Sequence, residues 1–322
     1  MLNSLVQGMR SKRRDKSTLL SITVLIVLVI LNVAIDPSFF SGFSLTTFFT
    51  DALPLLFMAT GQFLVVMIGG IDLSVGSVVS VVNAFVAIHM TNSSQSYVLV
   101  TVEAMAIGLV AGIINGVVVH WGRIQPILVT LATMSIYQGI ALLILPSPGG
   151  AVPTAFVLAL TGTVAGLPVA LIIMVLLALI WYWVHRTQFF LHIVALGSDE
   201  SGARMNGVRI GPLKLGVYAL SGFFSGLAGI YLAAQTSSGD PTIGAPLTLL
   251  SIAAVVIGGS RLSGGRGNVL GTFSGAIILS ILDSIMYFLG VSSFYQDLFQ
   301  GLVLLVAVAL TSYQGIRSRR LG

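Results

Sequence analysis

The chain has 322 residues, 56% of them hydrophobic and 8% charged, with a mean hydropathy of +1.03. A soluble domain carries about 25% charged residues, so this chain has too little charge to coat a water-facing surface, and most of it must face lipid or other buried helices. It has no cysteine, which excludes disulfides, thiolate metal sites and cysteine nucleophiles.

The four histidines, His89, His120, His185 and His192, show no metal-ligand spacing. The pI of 9.7 does not point to nucleic acid, because the basic residues sit in short loops between apolar runs. They read as topology signals. The expected fold is an all-α membrane protein, a bundle of ten transmembrane helices with both termini cytoplasmic.

In chain order, residues 1–18 form a basic cytoplasmic tail with Arg10, Lys12, Arg13, Arg14 and Lys16. A single transmembrane domain is expected over 19–312, and a second tail over 313–322. The first run, 19–35, is long enough to span and reads as a retained helix rather than a cleaved signal. Further runs follow at 52–69, 71–91, 98–119, 124–145, 167–184, 215–234, 247–259, 268–289 and 295–312. The run 247–259 is short and follows Pro241 and Pro246, the pattern of a broken helix.

With the N-terminus inside, all fifteen Lys and Arg residues fall on the cytoplasmic side. The outer loops then carry Asp36, Asp51, Asp240 and Asp297 and no basic residue. The longest outer stretch is 146–166 and the longest inner loop is 185–214. Gly108, Gly112 and Gly116, Gly222 and Gly226, and Gly271 and Gly275 recur every fourth residue, the spacing that lets helix backbones approach closely in lipid.

The segment 65–76, VVMIGGIDLSVG, is echoed by 254–265, AVVIGGSRLSGG. From Val66 and Val255 onward seven of eleven positions are identical. Both copies end an inward-running span, as parallel repeats would, and such interruptions often lie near a solute path or a mechanical joint. Asp72 in the first copy aligns with Arg261 in the second. The two charges either pair across a pseudo-symmetric interface or stand separately in water.

Two ionisable residues fall clearly within spans, Glu103 and Asp283. Glu103 is expected in the hydrated outer interface and Asp283 in a water-filled cavity. Ion-coupled carriers need relays of such groups, so the energy for transport must come from elsewhere. In the inner loop, Ser198 is a good N-cap, with Asp199 and Glu200 in the first turn and Asn206 and Gly207 as terminators. This predicts a capped helix of about two turns outside the membrane, suited to docking a partner.

GGIDLSVGS at 69–77, NG at 115–116, IQPILVTLATMSIYQG at 124–139, ALGSDESGARMNGV at 195–208, IAAVVIGGSRLSGGRGNVLGT at 252–272 and GVSSFYQDLFQGLVLL at 290–305 stand in this order. Through them the chain resembles the permeases of ribose-type sugar ABC importers over nearly its whole length. The resemblance implies a permease, not an enzyme, that pairs with a second permease copy in the inner membrane and receives a pentose, hexose or related furanose from a periplasmic binding protein. It implies a cytosolic ATPase that uses ATP and Mg, and no cofactor bound by this chain. No lysine here follows the glycine pattern of a phosphate loop.

The resemblance assigns ATPase coupling to Ser198, Asp199, Glu200, Gly202, Ala203, Arg204, Asn206 and Gly207. Candidates for the solute path or its gate are Gly69, Gly70, Asp72, Ser74, Asn115, Gln125, Arg261 and Asp283. The family often has Arg where Gln138 precedes Gly139, and a less polar residue than Asp283. Related branched-chain amino-acid permeases usually have Asn where Asp72 stands, which favours sugar. The competing readings are a permease for a branched-chain amino acid or nucleoside, or an ion-coupled carrier. A membrane enzyme lacks clustered carboxylates or a serine–histidine arrangement.

Reporter fusions at residues 95 and 200 are expected to read outside and inside, respectively. An outside signal at 200 would overturn the topology.

Overall fold

The computed structural model describes residues 21–292, 295–296, 298–303 and 305. The helices run in the order α1 Ser21–Ile35, then α2 Gly42–Met67, α3 Val75–His89, α4 Ser94–Trp121, α5 Pro126–Ile144 and α6 Thr154–Thr161. After a two-stranded hairpin, β1 Thr163–Val164 and β2 Leu167–Pro168, come α7 Val169–Val184, α8 Gln188–Ser198, α9 Glu200–Met205, α10 Ile210–Thr236, α11 Ala245–Ile257 and α12 Val269–Phe288. The tails 1–18 and 313–322 and much of the expected span 295–312 lie outside the described residues.

This is a polytopic helical membrane protein. Five helices, α2, α4, α5, α10 and α12, are each long and apolar enough to cross a bilayer, and α7 with α8 forms a sixth candidate bent by 76°. The apolar helices α1, α3 and α11 are shorter. With 15 residues, α3 rises only ~22 Å, less than the roughly 30 Å of a bilayer core. Its residues are buried nearly throughout, so the irregular backbone at its ends meets protein rather than lipid.

Three local expectations change. The second helix begins at Gly42, not near 52, because Ser41 caps it by accepting from the Ser44 amide at 3.2 Å. Asp51 therefore lies inside α2 rather than in an outer loop, and the Gln235 Nε2 donates to it at 2.7 Å. The stretch 146–166 is not merely a loop, since it contains α6 and the start of the hairpin. The hairpin turns at Ala165 and Gly166, both with positive φ, as a two-residue reversal requires.

At the centre stand α2 and α10. The buried share of the apolar window is 89% in α2 and 78% in α10, but 28% in α4 and α5, which leave broad faces for lipid. α10 packs along α4, α2 and α3, and α12 packs along α11 and α2. Glycine permits these crossings. A methyl group at Gly108 would run into the Gly222 carbonyl, and one at Gly112 into the Tyr218 carbonyl. One at Gly61 would come within 3.0 Å of the Ser221 backbone, and those at Gly271 and Gly275 would strike the carbonyls of Gly258 and Ala254. In lipid, where no hydrophobic effect drives helices together, such close packing supplies much of the association energy.

Gly222→Val should therefore push α4 from α10 and destabilise the protein by about 1–3 kcal/mol, the usual cost of overpacking. Gly139→Ala, at a position with open space around it, should be neutral. Thermal unfolding in detergent checks the pair, and equal melting of the two variants would contradict the close-crossing assignment.

Candidate functional site

The segment 68–74 joins α2 to α3 and carries Asp72, which is 1% exposed. A buried carboxylate must be hydrogen-bonded, and the local turn supplies part of this. Oδ1 accepts from the Ser74 amide at 3.0 Å and from the Ser74 hydroxyl at 2.7 Å. This Asx turn fixes the entry into α3. Oδ2 accepts from the Ser221 hydroxyl on α10 at 3.0 Å.

The surrounding helices extend the network. The Asn115 Nδ2 on α4 donates to the Ser74 hydroxyl at 2.8 Å. The Thr130 hydroxyl on α5 donates to the Ile71 carbonyl at 3.1 Å. The Gln62 amide on α2, turned to satisfy both groups, donates to the Asp72 carbonyl at 3.0 Å and accepts from its amide at 3.2 Å. Five helices are thus tied to one short turn. Gly70 admits the Tyr218 hydroxyl, which would lie 2.8 Å from a methyl group there.

Among the described residues the Asp72 carboxylate is held by Ser74 and Ser221, not by Arg261. Neither expectation for the two charges fits: Asp72 is unpaired with Arg261, and it is also out of water. The reason lies in the repeat itself. In the first copy the helix ends with Gly69 at φ 79°, its amide bonded to the Val66 carbonyl and that of Gly70 to Val65. In the second copy Gly259 takes φ 84°, with its amide on Val256 and that of Ser260 on Val255. The first glycine of the pair reverses the chain in one copy and the second in the other. The backbone equivalence is therefore one residue out of step with the sequence identity, and Asp72 corresponds in space to Leu262.

The two copies nevertheless meet. The loop 258–268 folds back through an Arg261 amide bond to the Arg266 carbonyl at 2.9 Å, and the Gly265 amide donates to the Met67 carbonyl at the end of α2 at 2.9 Å. A methyl on Gly264 would lie 2.8 Å from the Gly69 amide nitrogen. Into this junction comes the end of α8. A methyl on Gly197 would strike the Met67 carbonyl and lie 2.5 Å from the Gly265 nitrogen, and one on Gly265 would lie 2.5 Å from the Ser198 hydroxyl.

The capped helix exists, with shifted ends. Ser198 is not its N-cap but the last residue of α8, where its hydroxyl donates to the Val194 carbonyl at 2.8 Å. Asp199 is the cap, accepting from the Ser201 hydroxyl at 2.8 Å and amide at 3.0 Å. These bonds hold its carboxyl below the usual range, with the Ser201 hydroxyl the main cause and the Gly202 and Ser201 amides adding to it. Asp199 wins because its extended backbone, φ −162° and ψ 109°, breaks the helical run between α8 and α9.

Glu200 contacts Lys214 at 2.9 Å and Arg204 at 3.6 Å. Asn206 closes α9, and Gly207, at φ 81°, follows it. Ala203 is 5% exposed and packs into the core, and Gly202 is half-buried. The exposed residues of this segment are Ser198, Asp199, Glu200, Ser201, Arg204, Met205, Asn206 and Gly207.

The other candidates do not join the Asp72 network. Gln125 is exposed at the start of α5, where its carbonyl accepts from the Leu128 amide at 3.0 Å. Asp283 is half-buried on α12 and accepts from the Gln300 Nε2 at 2.7 Å. Glu103 is exposed on α4 beside His89, Ser93 and Ser96. Gln138 on α5 donates to the Pro241 carbonyl at 2.8 Å. Sequence reasoning missed Gln62, Thr130, Ser221 and Gly197. Gly197 stood within a quoted motif, whereas a lone Ser or Gln in an apolar helix gives no signal of its partner.

The described residues thus form a close-packed helical bundle with a polar turn at its centre and a capped helix joined to it at a glycine junction. Residues 44–308 match the family described as the branched-chain amino acid transport system / permease component. The chain is 37% identical over 303 residues to a ribose import permease of Haemophilus influenzae, covering 92% of this chain and 94% of that relative. It is 37% identical over 290 residues to a ribose import permease of Bacillus subtilis, covering 89% and 90%. An autoinducer 2 import system permease of Yersinia pestis is 31% identical over 300 residues, covering 91% of this chain and 83% of the relative. No solved structure matches significantly. The chain belongs to this permease family, among the permeases of ribose-type ABC importers.

Asp72→Asn keeps an acceptor for Ser74 and offers a donor to the Ser221 oxygen, so its melting should stay near wild type. Asp72→Leu leaves the Ser74 and Ser221 hydroxyls and the Ser74 amide without their acceptor, at roughly 1–3 kcal/mol for each orphaned group. Unfolding in detergent should rank wild type and Asn well above Leu. Equal melting of Asn and Leu variants would remove the network's structural role.

Proposed function

We propose that this chain is the membrane-spanning subunit of an ATP-driven importer in a bacterial inner membrane, passing a sugar from a periplasmic binding protein to the cytoplasm. The observation that carries the reading is the junction of α8 with both copies of the repeated motif. It joins α9, whose outward face is exposed, directly to the end of the buried helix α2.

The proposed topology has ten spans and both termini cytoplasmic, which gathers all fifteen Lys and Arg residues on one side. In it the single transmembrane domain covers 19–312, flanked by tails 1–18 and 313–322. α9 then faces the cytosol, where Arg204 and Met205 meet an ATPase subunit that uses ATP and Mg. Ser201 and Asn206 flank that contact. Met205 is 82% exposed, and a large exposed apolar side chain beside a cation is the composition of an interface centre. This chain supplies no cofactor. A second permease copy completes the solute path.

The relatives' names support a sugar of pentose or furanose form, with hexose not separated from these. The family description favours a second reading, a branched-chain amino acid. Of the acids within the long apolar helices, Asp51 and Asp283 lie near enough to feel each other's charge, but among the described residues no group of three or more acids or histidines forms, and the lack of a longer relay supports a partner ATPase over ion coupling.

In proteoliposomes with a cognate ATPase and binding protein, ribose uptake should require ATP and persist when the proton gradient is collapsed. Uptake by the chain alone on a sodium or pH gradient would overturn the reading, and uptake of leucine but not ribose would favour the second. Met205→Glu should weaken ATPase co-purification about tenfold, as losing an interface anchor does, without changing thermal melting. Unchanged co-purification would remove α9 from the interface.

A further inference from the structure

The three glycines at the junction do more than allow close packing. Gly197 abuts the Met67 carbonyl so tightly that a single methyl group would not fit, and the Gly265 amide donates to that same carbonyl at 2.9 Å. Gly264 and Gly265 have φ of 83° and 69°, which keeps their lobe folded against the α2 end. Backbone therefore touches backbone from α8 to the second repeat copy to the first, with no flexible side chain between them.

Past Met67 the route stays stiff. The αL turn at Gly69 leads within three residues to Asp72, whose bonds reach α3 and α10 directly, and α4 through Ser74 and Asn115. Packed backbones and hydrogen-bonded polar groups transmit displacement rather than absorbing it. A side chain in the same place would yield by changing rotamer.

We infer that Gly197, with Gly264 and Gly265, positions α8 as a rigid strut, so that movement of α9 is imposed on the C-terminal end of α2 and through Asp72 on the central helices. Gly197 is a positioning residue that touches neither solute nor nucleotide. This inference rests on the proposed importer function and goes beyond it, because it names the contact that converts partner movement into helix movement. Docking and transmission are then separable: docking belongs to the exposed face of α9, and transmission to the buried glycine contact.

The test uses the complete transporter in proteoliposomes, reading ATPase co-purification, ATP hydrolysis and ribose uptake together. Gly197→Ala should leave the ATPase bound and hydrolysing within about twofold of wild type while uptake falls about tenfold. Gly42→Ala, at a position with open space around it, should match wild type in all three. Wild-type uptake in Gly197→Ala would overturn the strut, as would a parallel loss of hydrolysis and uptake with the ATPase still bound. If Gly197→Ala does not reach the membrane, Ser198→Leu decides by the same readouts, since that exposed residue borders Gly265, its hydroxyl lying 2.5 Å from where a methyl group there would stand, and a larger side chain presses on the junction without entering the core. Normal uptake in Ser198→Leu would then overturn the inference. A wild-type complex that neither hydrolyses ATP nor imports ribose would instead refute the proposed function itself.

Discussion

A carboxylate sits in the middle of a bundle built for lipid, and the arrangement of the surrounding helices follows from keeping it hydrogen-bonded. Asp72 needs donors from outside its own turn, and Ser221 on α10 supplies one. For that hydroxyl to reach, α10 must run close to the end of α2, and Gly61 opposite Ser221 makes this possible. Next to Ser221, Gly222 lies against Gly108 of α4. One pair of neighbouring residues therefore serves two crossings, one polar and one bare. Either requirement alone would fix a contact, and together they fix how α2, α4 and α10 sit around the turn.

The same turn separates two mechanical regions. On one side stand helices with polar ties to 68–74, and on the other the backbone contacts of Met67, Gly197 and Gly265. A bundle held only by apolar side chains could slip by small repacking steps. Hydrogen bonds to a buried acid and contacts between bare backbones resist such slippage, because intermediate positions leave polar groups unmet or atoms overlapping. This is the property required of a joint between a moving partner and a membrane path.

The internal echo shows how a repeated sequence can diverge in role. Both copies end a helix with two glycines, yet different members of the pair reverse the chain. The displacement by one residue sends Asp72 inward in the first copy and leaves Leu262 at the corresponding place in the second. The second copy then forms a longer loop before Asn268 caps α12, and that extra length carries Gly264 and Gly265 onto the first copy.

By itself the sequence determined the class of molecule, because an apolar chain with so few charges has nowhere to lie but in a membrane. It also placed most of the described long apolar helices, the close-packing glycines and a capped helix in 185–214, while missing α6 and α8, since hydropathy, four-residue spacing and capping are local properties written in adjacent residues. It revealed the family through ordered motifs. Only the tertiary structure decided that Asp72 bonds to Ser74 and Ser221 rather than Arg261, that Ala203 is buried, and that Gly197 meets Met67 and Gly265. These facts depend on residues as much as 149 positions apart in the chain, as Ser221 is from Asp72. A register shift of one residue in a glycine turn, invisible in the identity of the letters, changes which side chain faces inward.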